Sequence, residues 1–378
     1  MTLGDGTSFV LDYIIPFLVV LTIVVFFHEL GHFLVARWRG VHVEVFSVGF
    51  GPEIFGRTDK RGTRWKVSWI PLGGYVKFLG DDNVASAPDH EALENLSPEQ
   101  RAQSYHAKPV GSRAAIAAAG PIANFILTIV IFIGLNITVG QQIVTPVVDE
   151  VLPNSPAAES GFHSGDLIST IDGNEIEAFL DVQQIVSVSA GKTLSVGVIR
   201  KGVPVTLTVV PQYKDITDDF GNSYRVGYLG LSNRADADDI QHIRYGLVDA
   251  VQKSIEQTVF ILTSTLSYIG DIIVGQQPAD QLGGPLRIAQ MSGQVASIGF
   301  VALLNLAAVL SVSIGLINLF PVPMLDGGHL LYYAIEAVRG KPLNERAQII
   351  GFQFGLIALL ALMIFVTWND LQHLDVIG

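Results

Sequence analysis

Two histidines and a glutamate form the pattern in this chain that most clearly indicates chemistry. His28, Glu29 and His32 stand in the run His-Glu-Leu-Gly-His. Residues four apart lie on one face of a helix, so the two imidazoles can bind one metal ion while Glu29 lies beside it as general base. The spacing therefore predicts a zinc site that activates water for hydrolysis.

A catalytic zinc ion needs a third protein ligand and an open position for water. The chain has no cysteine, so this ligand must be a histidine or a carboxylate. Asp326 is the candidate, because it follows a long apolar segment and two prolines, Pro321 and Pro323, that interrupt the helix before it. We predict that His28, His32 and Asp326 bind Zn²⁺, the only cofactor that we expect.

Two amide side chains are candidates for support of the substrate or of the developing oxyanion. Asn318 lies near Asp326 in the chain, and Asn124 lies in a separate apolar segment. An amide N–H directed at the reacting carbonyl stabilises the negative charge that develops there. We predict this role for Asn318 and, as a weaker candidate, for Asn124.

The composition indicates a membrane protein. Of 378 residues, 49% are hydrophobic and 15% are charged, and the mean hydropathy is +0.43. Four segments are long enough to cross a bilayer, which needs about 20 residues per helix: residues 13–37, 114–139, 298–320 and 352–368. Imidazoles and a carboxylate at membrane depth are costly unless they pair or bind something, which favours a working site in the first segment.

Charge predicts the orientation and excludes one class of partner. All 23 Lys and Arg residues fall between Arg37 and Arg346, and they are dense after the first span and before the fourth. By the positive-inside rule these two connections are cytoplasmic, both termini and the long insert lie outside, and the zinc site faces the cytoplasmic half of the membrane. The net charge of −12, with no basic tract, argues against nucleic acid as a partner.

Two smaller elements lie between the predicted spans. Residues 43–50 and 63–78 read as strands of a hairpin, since Trp65, Val67 and Trp69 alternate with polar residues. The hairpin could enter the membrane and offer an edge to an extended substrate, or it could simply cap the helix ends. Residues 245–273 have apolar residues at helical spacing, which predicts an amphipathic helix on the membrane surface.

Residues 144–211 resemble a PDZ domain of the circularly permuted bacterial kind. The signatures are Ser155-Pro156-Ala157-Ala158 and Gly165-Asp166-Leu167-Ile168. The resemblance implies that a peptide C-terminus binds as an added strand between the strand near Val147 and the helix near Asp181. The alternative is a steric plug that binds no peptide.

The fold class that we predict is a polytopic α-helical membrane protein with about four transmembrane helices, a membrane-associated β-hairpin and one PDZ-like α/β insert. The regions are 1–41, the first transmembrane helix with the zinc motif; 42–113, the hairpin and a cytoplasmic loop; 114–140, the second transmembrane helix; 144–212, the PDZ-like domain; 213–297, a linker with the amphipathic helix; 298–340, the third transmembrane helix with the broken Asp-Gly segment; and 341–378, the fourth transmembrane helix and C-terminus.

These motifs together resemble the site-2 protease family of intramembrane zinc metalloproteases, and most closely its bacterial regulator of sigma-E protease branch. The resemblance covers most of the chain and includes the PDZ-like module and these blocks: His28 to His32, Gly49-Phe50-Gly51-Pro52, Pro71-Leu72-Gly73-Gly74-Tyr75-Val76-Lys77, Gly120-Pro121-Ile122-Ala123-Asn124-Phe125, Gly283-Gly284-Pro285 and Asn318 to His329.

The resemblance implies a multi-pass protein of the bacterial inner membrane whose PDZ-like domain lies on the periplasmic side. It implies regulated intramembrane proteolysis of single-span substrates, such as anti-sigma factors already trimmed by another protease, or remnant signal peptides. It also implies that the PDZ region screens substrates by size. The best-known members have two tandem PDZ domains, whereas this sequence shows one.

Two other functions fit parts of the pattern. A membrane-anchored zincin that cuts soluble or juxtamembrane substrates would use His28 and His32 but would not need Asp326. The other is a non-enzymatic PDZ receptor or scaffold with a vestigial zinc site, and the intact Glu29 argues against it.

Overall fold

A computed structural model describes residues 10–81, 96–217, 223–233, 240–275, 279 and 282–373. Parts of the predicted regions 1–41, 42–113, 213–297 and 341–378 lie outside these residues. A π-helical turn, Val10–Ile14, precedes the first α-helix. The described helices are α1 Ile15–Trp38, α2 Pro98–Ala102, α3 Val110–Thr138, α4 Pro156–Glu159, α5 Phe179–Ser187, α6 Leu247–Ile273, α7 Pro285–Ile298, α8 Phe300–Asn318, α9 Asp326–Arg339 and α10 Glu345–His373.

The described strands form small antiparallel sheets. They are β1 Val43–Thr58, β2 Arg64–Phe78, β3 Gln141–Val144, β4 Glu150–Val151, β5 Leu167–Ile171, β6 Asn174–Glu175, β7 Leu194–Arg200, β8 Val203–Val209, β9 Gln212–Thr217, β10 Ser223–Tyr228, β11 Leu231–Ser232 and β12 Ile240–Ile243. Strand β1 pairs with β2, β3 with β12, β4 with β11 and β9 with β10. One sheet has four strands, in the order β6-β5-β7-β8.

In the part of the chain that the structure describes, four helices have the length and composition to cross a membrane, as predicted. They cover Val10–Trp38, Val110–Thr138, Phe300–Asn318 and Arg346–Gln372. In the most apolar part of Val10–Trp38 and of Arg346–Gln372 only 11% of residues are buried. The share is 50% in Val110–Thr138 and 39% in Phe300–Asn318. Apolar surfaces as exposed as those of Val10–Trp38 and Arg346–Gln372 require lipid rather than water around them.

The chain divides into two compact units. The first comprises Met1–Phe132, Ser254–Leu262 and Leu282–Gly378, and the second comprises Ile133–Lys253 and Thr263–Gln281. The second unit contains the four-stranded sheet and helix α5, and its core includes Val148, Ile168 and Val196. The predicted helix near Asp181 is present as α5, whereas Val147 forms only an isolated bridge to Leu167, between β3 and β4. The assignment of the module as a PDZ domain stays a prediction.

In the first unit, β1 and β2 form the predicted hairpin. Strand β1 does not end near residue 50 but continues with register shifts to Thr58. Asp59 in the turn pairs with Arg37 at the end of α1 and accepts hydrogen bonds from the backbone amides of Arg61 and Thr63. Burial acts to raise the pKa of Asp59, but these bonds and one from Trp65 outweigh it and lower the pKa to about 2. The turn is thereby held at the end of α1.

The predicted linker contains more structure than the sequence indicated. Helix α6 matches the amphipathic segment, and its place on the membrane surface stays a prediction. Helix α7, in a stretch that contains Ser292 and Gly293, was not predicted. The buried carboxylate of Asp370 accepts hydrogen bonds from the backbone amides of Gly284 (2.7 Å) and Leu286 (3.0 Å) at the N-terminus of α7. A residue 84 positions away thus supplies the cap that the local sequence lacks.

Candidate metal centre

Helix α1 holds the two histidines of the motif on one face. Their Nε2 atoms lie 3.2 Å apart, and the ring planes are inclined by 80°. This closeness follows from the four-residue spacing on a continuous helix. The two nitrogens are therefore directed at a common point beside α1.

Asp326 comes to the same point from a different part of the chain. Its Oδ2 lies 3.1 Å from His28 Nε2, and its Oδ1 lies 3.4 Å from His32 Nε2. One ligand atom from each of the three residues lies within 4.8 Å of the others. Their side chains are only 11 to 17% exposed. The structure thus brings together the three ligands that the sequence predicted.

The backbone before Asp326 explains how the carboxylate reaches this point. Helix α8 ends at Asn318 and α9 begins at Asp326, as the prolines between them predicted. Met324 has a φ of 109°, a conformation that costs a residue with a side chain about 1–3 kcal/mol. A Cβ at Gly327 or Gly328 would collide with backbone carbonyls of this loop. The loop can fold tightly against the first turn of α9 only because both residues are glycine.

The donor set fits zinc. His32 Nδ1 lies 2.8 Å from the carbonyl oxygen of Ile116, which can only accept, so Nδ1 carries the hydrogen and Nε2 keeps its lone pair. Asp326 Oδ2 is buried and forms no hydrogen bond within the described residues, although it lies within ion-pair distance of His28. Two imidazole nitrogens and an unsatisfied carboxylate oxygen facing one another match a catalytic zinc site with an open fourth position.

A cavity of about 360 Å³ adjoins the three ligands. Glu29 and Asn318 both line it. The backbone amide of Val76 on β2 interacts with the Glu29 carboxylate, and Gly74 allows that strand to lie against the Glu29 side chain. The hairpin therefore forms one wall of the cavity and holds the predicted general base in it.

The predicted supporting amides lie in different places. Asn318 borders the cavity, where an amide can reach a bound substrate. Asn124 is fully buried and is not among the residues that line the cavity; its Nδ2 lies 3.3 Å from His28 Nδ1, on the side of the ring away from Asp326. The supporting roles of Asn318 and Asn124 stay predictions, and the structure places Asn124 against the predicted ligand His28.

Comparison with known proteins agrees with this geometry. The profile of peptidase family M50 matches residues 16–362. The chain belongs to this family, the site-2 proteases. It is 49% identical over 373 residues to an Agrobacterium fabrum protein provisionally named a zinc metalloprotease, with 99% of each chain covered. A Rhizobium meliloti protein with the same provisional name is 48% identical, with 96% of this chain and 98% of the relative covered.

A third relative, the metalloprotease MmpA of Caulobacter vibrioides, is 39% identical over 385 residues, with 96% of each chain covered. The M50 protein is therefore a zinc metalloprotease, as predicted. Its four apolar helices, together with the family, make it a membrane protein.

Two glycines that bring the helices of the M50 protein together were not predicted as part of the site. A Cβ at Gly31 would collide with the carbonyl of Ala119, and one at Gly120 would collide with His32 Nε2. Helices α1 and α3 can therefore approach this closely at these two positions because both residues are glycine. The available signal was a glycine in the interior of each apolar helix, which is unfavourable unless close packing requires it.

Proposed function

We propose that the protein hydrolyses peptide bonds inside the transmembrane segments of single-span membrane proteins. Substrates of this class include anti-sigma factors already trimmed by another protease and remnant signal peptides. The observation that carries the proposal is the depth of His28 and His32 along the first apolar span, where Asp326 reaches the same point. A juxtamembrane protease would need its metal at the membrane surface.

The depth follows from helix geometry. The first span covers 29 residues, Val10–Trp38. At about 1.5 Å per residue it is roughly 43 Å long, against about 30 Å for the hydrocarbon core. His28 lies ten residues before the helix ends at Trp38, about 15 Å from that end. This supports a position of the metal within the hydrocarbon core, towards the C-terminal end of α1.

In this proposal His28, His32 and Asp326 hold the zinc, and Glu29 and Asn318 act on water and substrate. Bound zinc supplies a Lewis acid that activates water and polarises the scissile carbonyl. The Glu29 carboxylate accepts a proton from the attacking water and passes it to the nitrogen of the leaving amine. The Asn318 amide donates a hydrogen bond to the carbonyl oxygen or to the substrate backbone.

The hairpin and the module of the second unit would act on the substrate before cleavage. Large apolar side chains on the hairpin, among them Phe55 (69% exposed) and Trp69 (68% exposed), are open to the surroundings, which favours contact with lipid. Strand β2 borders the cavity and could pair with an unwound substrate segment. We propose that the PDZ-like module lies on the periplasmic side of the inner membrane and that the zinc site faces the cytoplasmic half.

The test uses the full chain in lipid vesicles with a single-span substrate. Replacing Glu29 with Gln should reduce the rate of cleavage by a factor of about 10² to 10⁴, since the general base is lost. Mass spectrometry of the products should place the cut bond inside the apolar segment of the substrate. The matched control is Glu159→Gln, which changes an exposed glutamate of the second unit and should leave the rate unchanged.

Two outcomes would contradict the proposal. A fully active Glu29→Gln protein would remove the general base from the mechanism. A cut outside the apolar segment, with equal activity on a soluble substrate, would identify a membrane-anchored zincin instead.

A further inference from the structure

Asn124 on α3 is a buried polar residue for which the proposed reaction leaves no role. Its side chain is fully buried, and its Nδ2 lies 3.3 Å from His28 Nδ1. Its Oδ1 is also buried and has no hydrogen-bond partner in the part of the chain that the structure describes. A buried amide with an unsatisfied oxygen, placed against a metal ligand, requires a physical reason.

The backbone of Asn124 is fixed more firmly than helix geometry alone requires. Its carbonyl oxygen accepts hydrogen bonds from Ser311 Oγ (2.9 Å) and from Thr128 Oγ1 (3.1 Å). Thr128 Oγ1 is also 2.9 Å from the carbonyl oxygen of Ala308. These hydroxyl contacts join α3 to α8 at this level. The side chain of Asn124 is therefore held at a constant distance from the ring of His28.

The other histidine ligand, His32, shows what kind of neighbour the Nδ1 atom of His28 requires. A neutral imidazole has one N–H, and a ring that binds a metal through Nε2 must carry the hydrogen on Nδ1. For His32 this hydrogen has an acceptor, the carbonyl oxygen of Ile116 at 2.8 Å. For His28 the group at Nδ1 is the amide of Asn124. An NH₂ group facing an Nδ1–H would set two donors against each other, so the metal-binding form of His28 needs the amide oxygen at that place.

We propose that Asn124 is a positioning residue whose amide oxygen accepts the Nδ1 hydrogen of His28 and so directs the Nε2 lone pair at the metal. A half-turn of the amide about its Cβ–Cγ bond exchanges its two end atoms and places Oδ1 where Nδ2 lies, 3.3 Å from the ring nitrogen. The Asn124 amide oxygen then accepts the Nδ1 hydrogen of His28, as the Ile116 carbonyl oxygen accepts that of His32. The inference rests on the proposed function, because it requires His28 to be a zinc ligand.

The experiment measures the zinc affinity of the purified full chain by competition with a chelator of known affinity. Asn124→Leu keeps the volume and removes the acceptor, and it should weaken zinc binding by about 10- to 100-fold. Asn124→Asp keeps an acceptor at the same place and should bind zinc at least as tightly as the wild type. The absorption of the cobalt-substituted protein gives a second readout, and its ligand-field bands should change in Asn124→Leu but not in Asn124→Asp.

Thr128→Val is the matched control. It removes the Thr128 hydroxyl contacts but leaves the hydrogen bond from Ser311 Oγ to the Asn124 carbonyl oxygen and the contact of the Asn124 side chain with His28, so it should leave the zinc affinity unchanged. If Asn124 only packs the two helices, Thr128→Val and Asn124→Leu should weaken zinc binding equally, and the proposal would be overturned. It would also be overturned by wild-type affinity in Asn124→Leu, or by a tenfold loss in Asn124→Asp.

His28→Ala separates this inference from the proposed function. If His28→Ala leaves zinc binding intact, the metal site itself is wrong. If His28→Ala abolishes zinc binding and Asn124→Leu does not weaken it, only the positioning role is wrong. Should Asn124→Leu fail to fold, the affinities of Asn124→Asp and Thr128→Val still decide.

Discussion

Two shielded carboxylates, one in each unit, differ in how their oxygens are satisfied. Asp166, in the second unit, is completely buried and accepts two hydrogen bonds from the Arg200 guanidinium, both of 2.7 Å, and one of 2.9 Å from the backbone amide of His163. Asp326, in the first unit, faces two imidazoles, and its Oδ2 has no hydrogen bond within the described residues.

The difference separates a structural carboxylate from one that binds a ligand. The lone pairs of Asp166 are filled by fixed donors, so its charge is compensated inside the protein. The lone pairs of Asp326 face nitrogens that can themselves coordinate a cation, so the group is satisfied only when something positive joins it. Both carboxylates are shielded from solvent, so it is the identity of their neighbours that distinguishes a structural role from ligand binding.

The largest expected effect comes from Asp326→Asn. The amide keeps the shape but supplies a poor metal ligand, so zinc content should fall and cleavage of a single-span substrate should drop on the order of 10³-fold or more. The thermal stability of the metal-free protein should stay the same or rise, because the change removes a shielded negative charge. Metal analysis, substrate cleavage and thermal unfolding in a chelator measure the three quantities.

Either of two results would contradict the assignment of Asp326 as a metal ligand rather than a structural carboxylate. Full activity in Asp326→Asn would mean that the third ligand lies elsewhere. A large loss of stability in the metal-free variant would mean that Asp326 serves the fold, as Asp166 does.

The sequence predicted the parts of this site that depend on short-range geometry. The pairing of His28 with His32 follows from one helical turn, and the position of Asp326 after a broken helix follows from Pro321 and Pro323. The contacts at Gly31 and Gly120 depend on which helices become neighbours, and no local pattern specifies that. The place of Asn124 behind His28 likewise depends on a contact between residues 96 positions apart, and Asp370 caps a helix at a residue 84 positions away.

A smaller effect is expected from Asp166→Ala. It leaves the His163 amide and Arg200 Nε without their acceptor, at a cost of about 1–3 kcal/mol in the free energy of unfolding of the second unit. Limited proteolysis of the full chain, with cleavage sites mapped to residues 133–253, measures this loss. Zinc content should not change, and a loss of zinc would show that Asp166 also serves the metal site.

The pH dependence of the same unit sharpens this prediction. Burial acts to raise the pKa of Asp166, but the hydrogen bonds and charge of Arg200 and the His163 amide outweigh it and lower the pKa. A lowered pKa in the folded state gives stability that is present above the unfolded value, about 3.9, and is lost as the pH falls through the folded value. The wild type should therefore become more sensitive to protease below about pH 4, and Asp166→Ala should show a shallower acid transition.

The smallest effect is expected at a third carboxylate, Asp215, which tests whether burial or pairing makes Asp166 important. Arg225 donates to both of its oxygens, at 2.8 and 3.1 Å, in the same forked arrangement as Arg200 on Asp166. Here, however, the side chains are 65% and 44% exposed, so water and salt screen the charges and replace lost hydrogen bonds. Asp215→Ala should therefore leave protease sensitivity unchanged. If it destabilises the unit as much as Asp166→Ala, the forked contact matters in itself, and solvent exclusion cannot explain why Asp166 is structural.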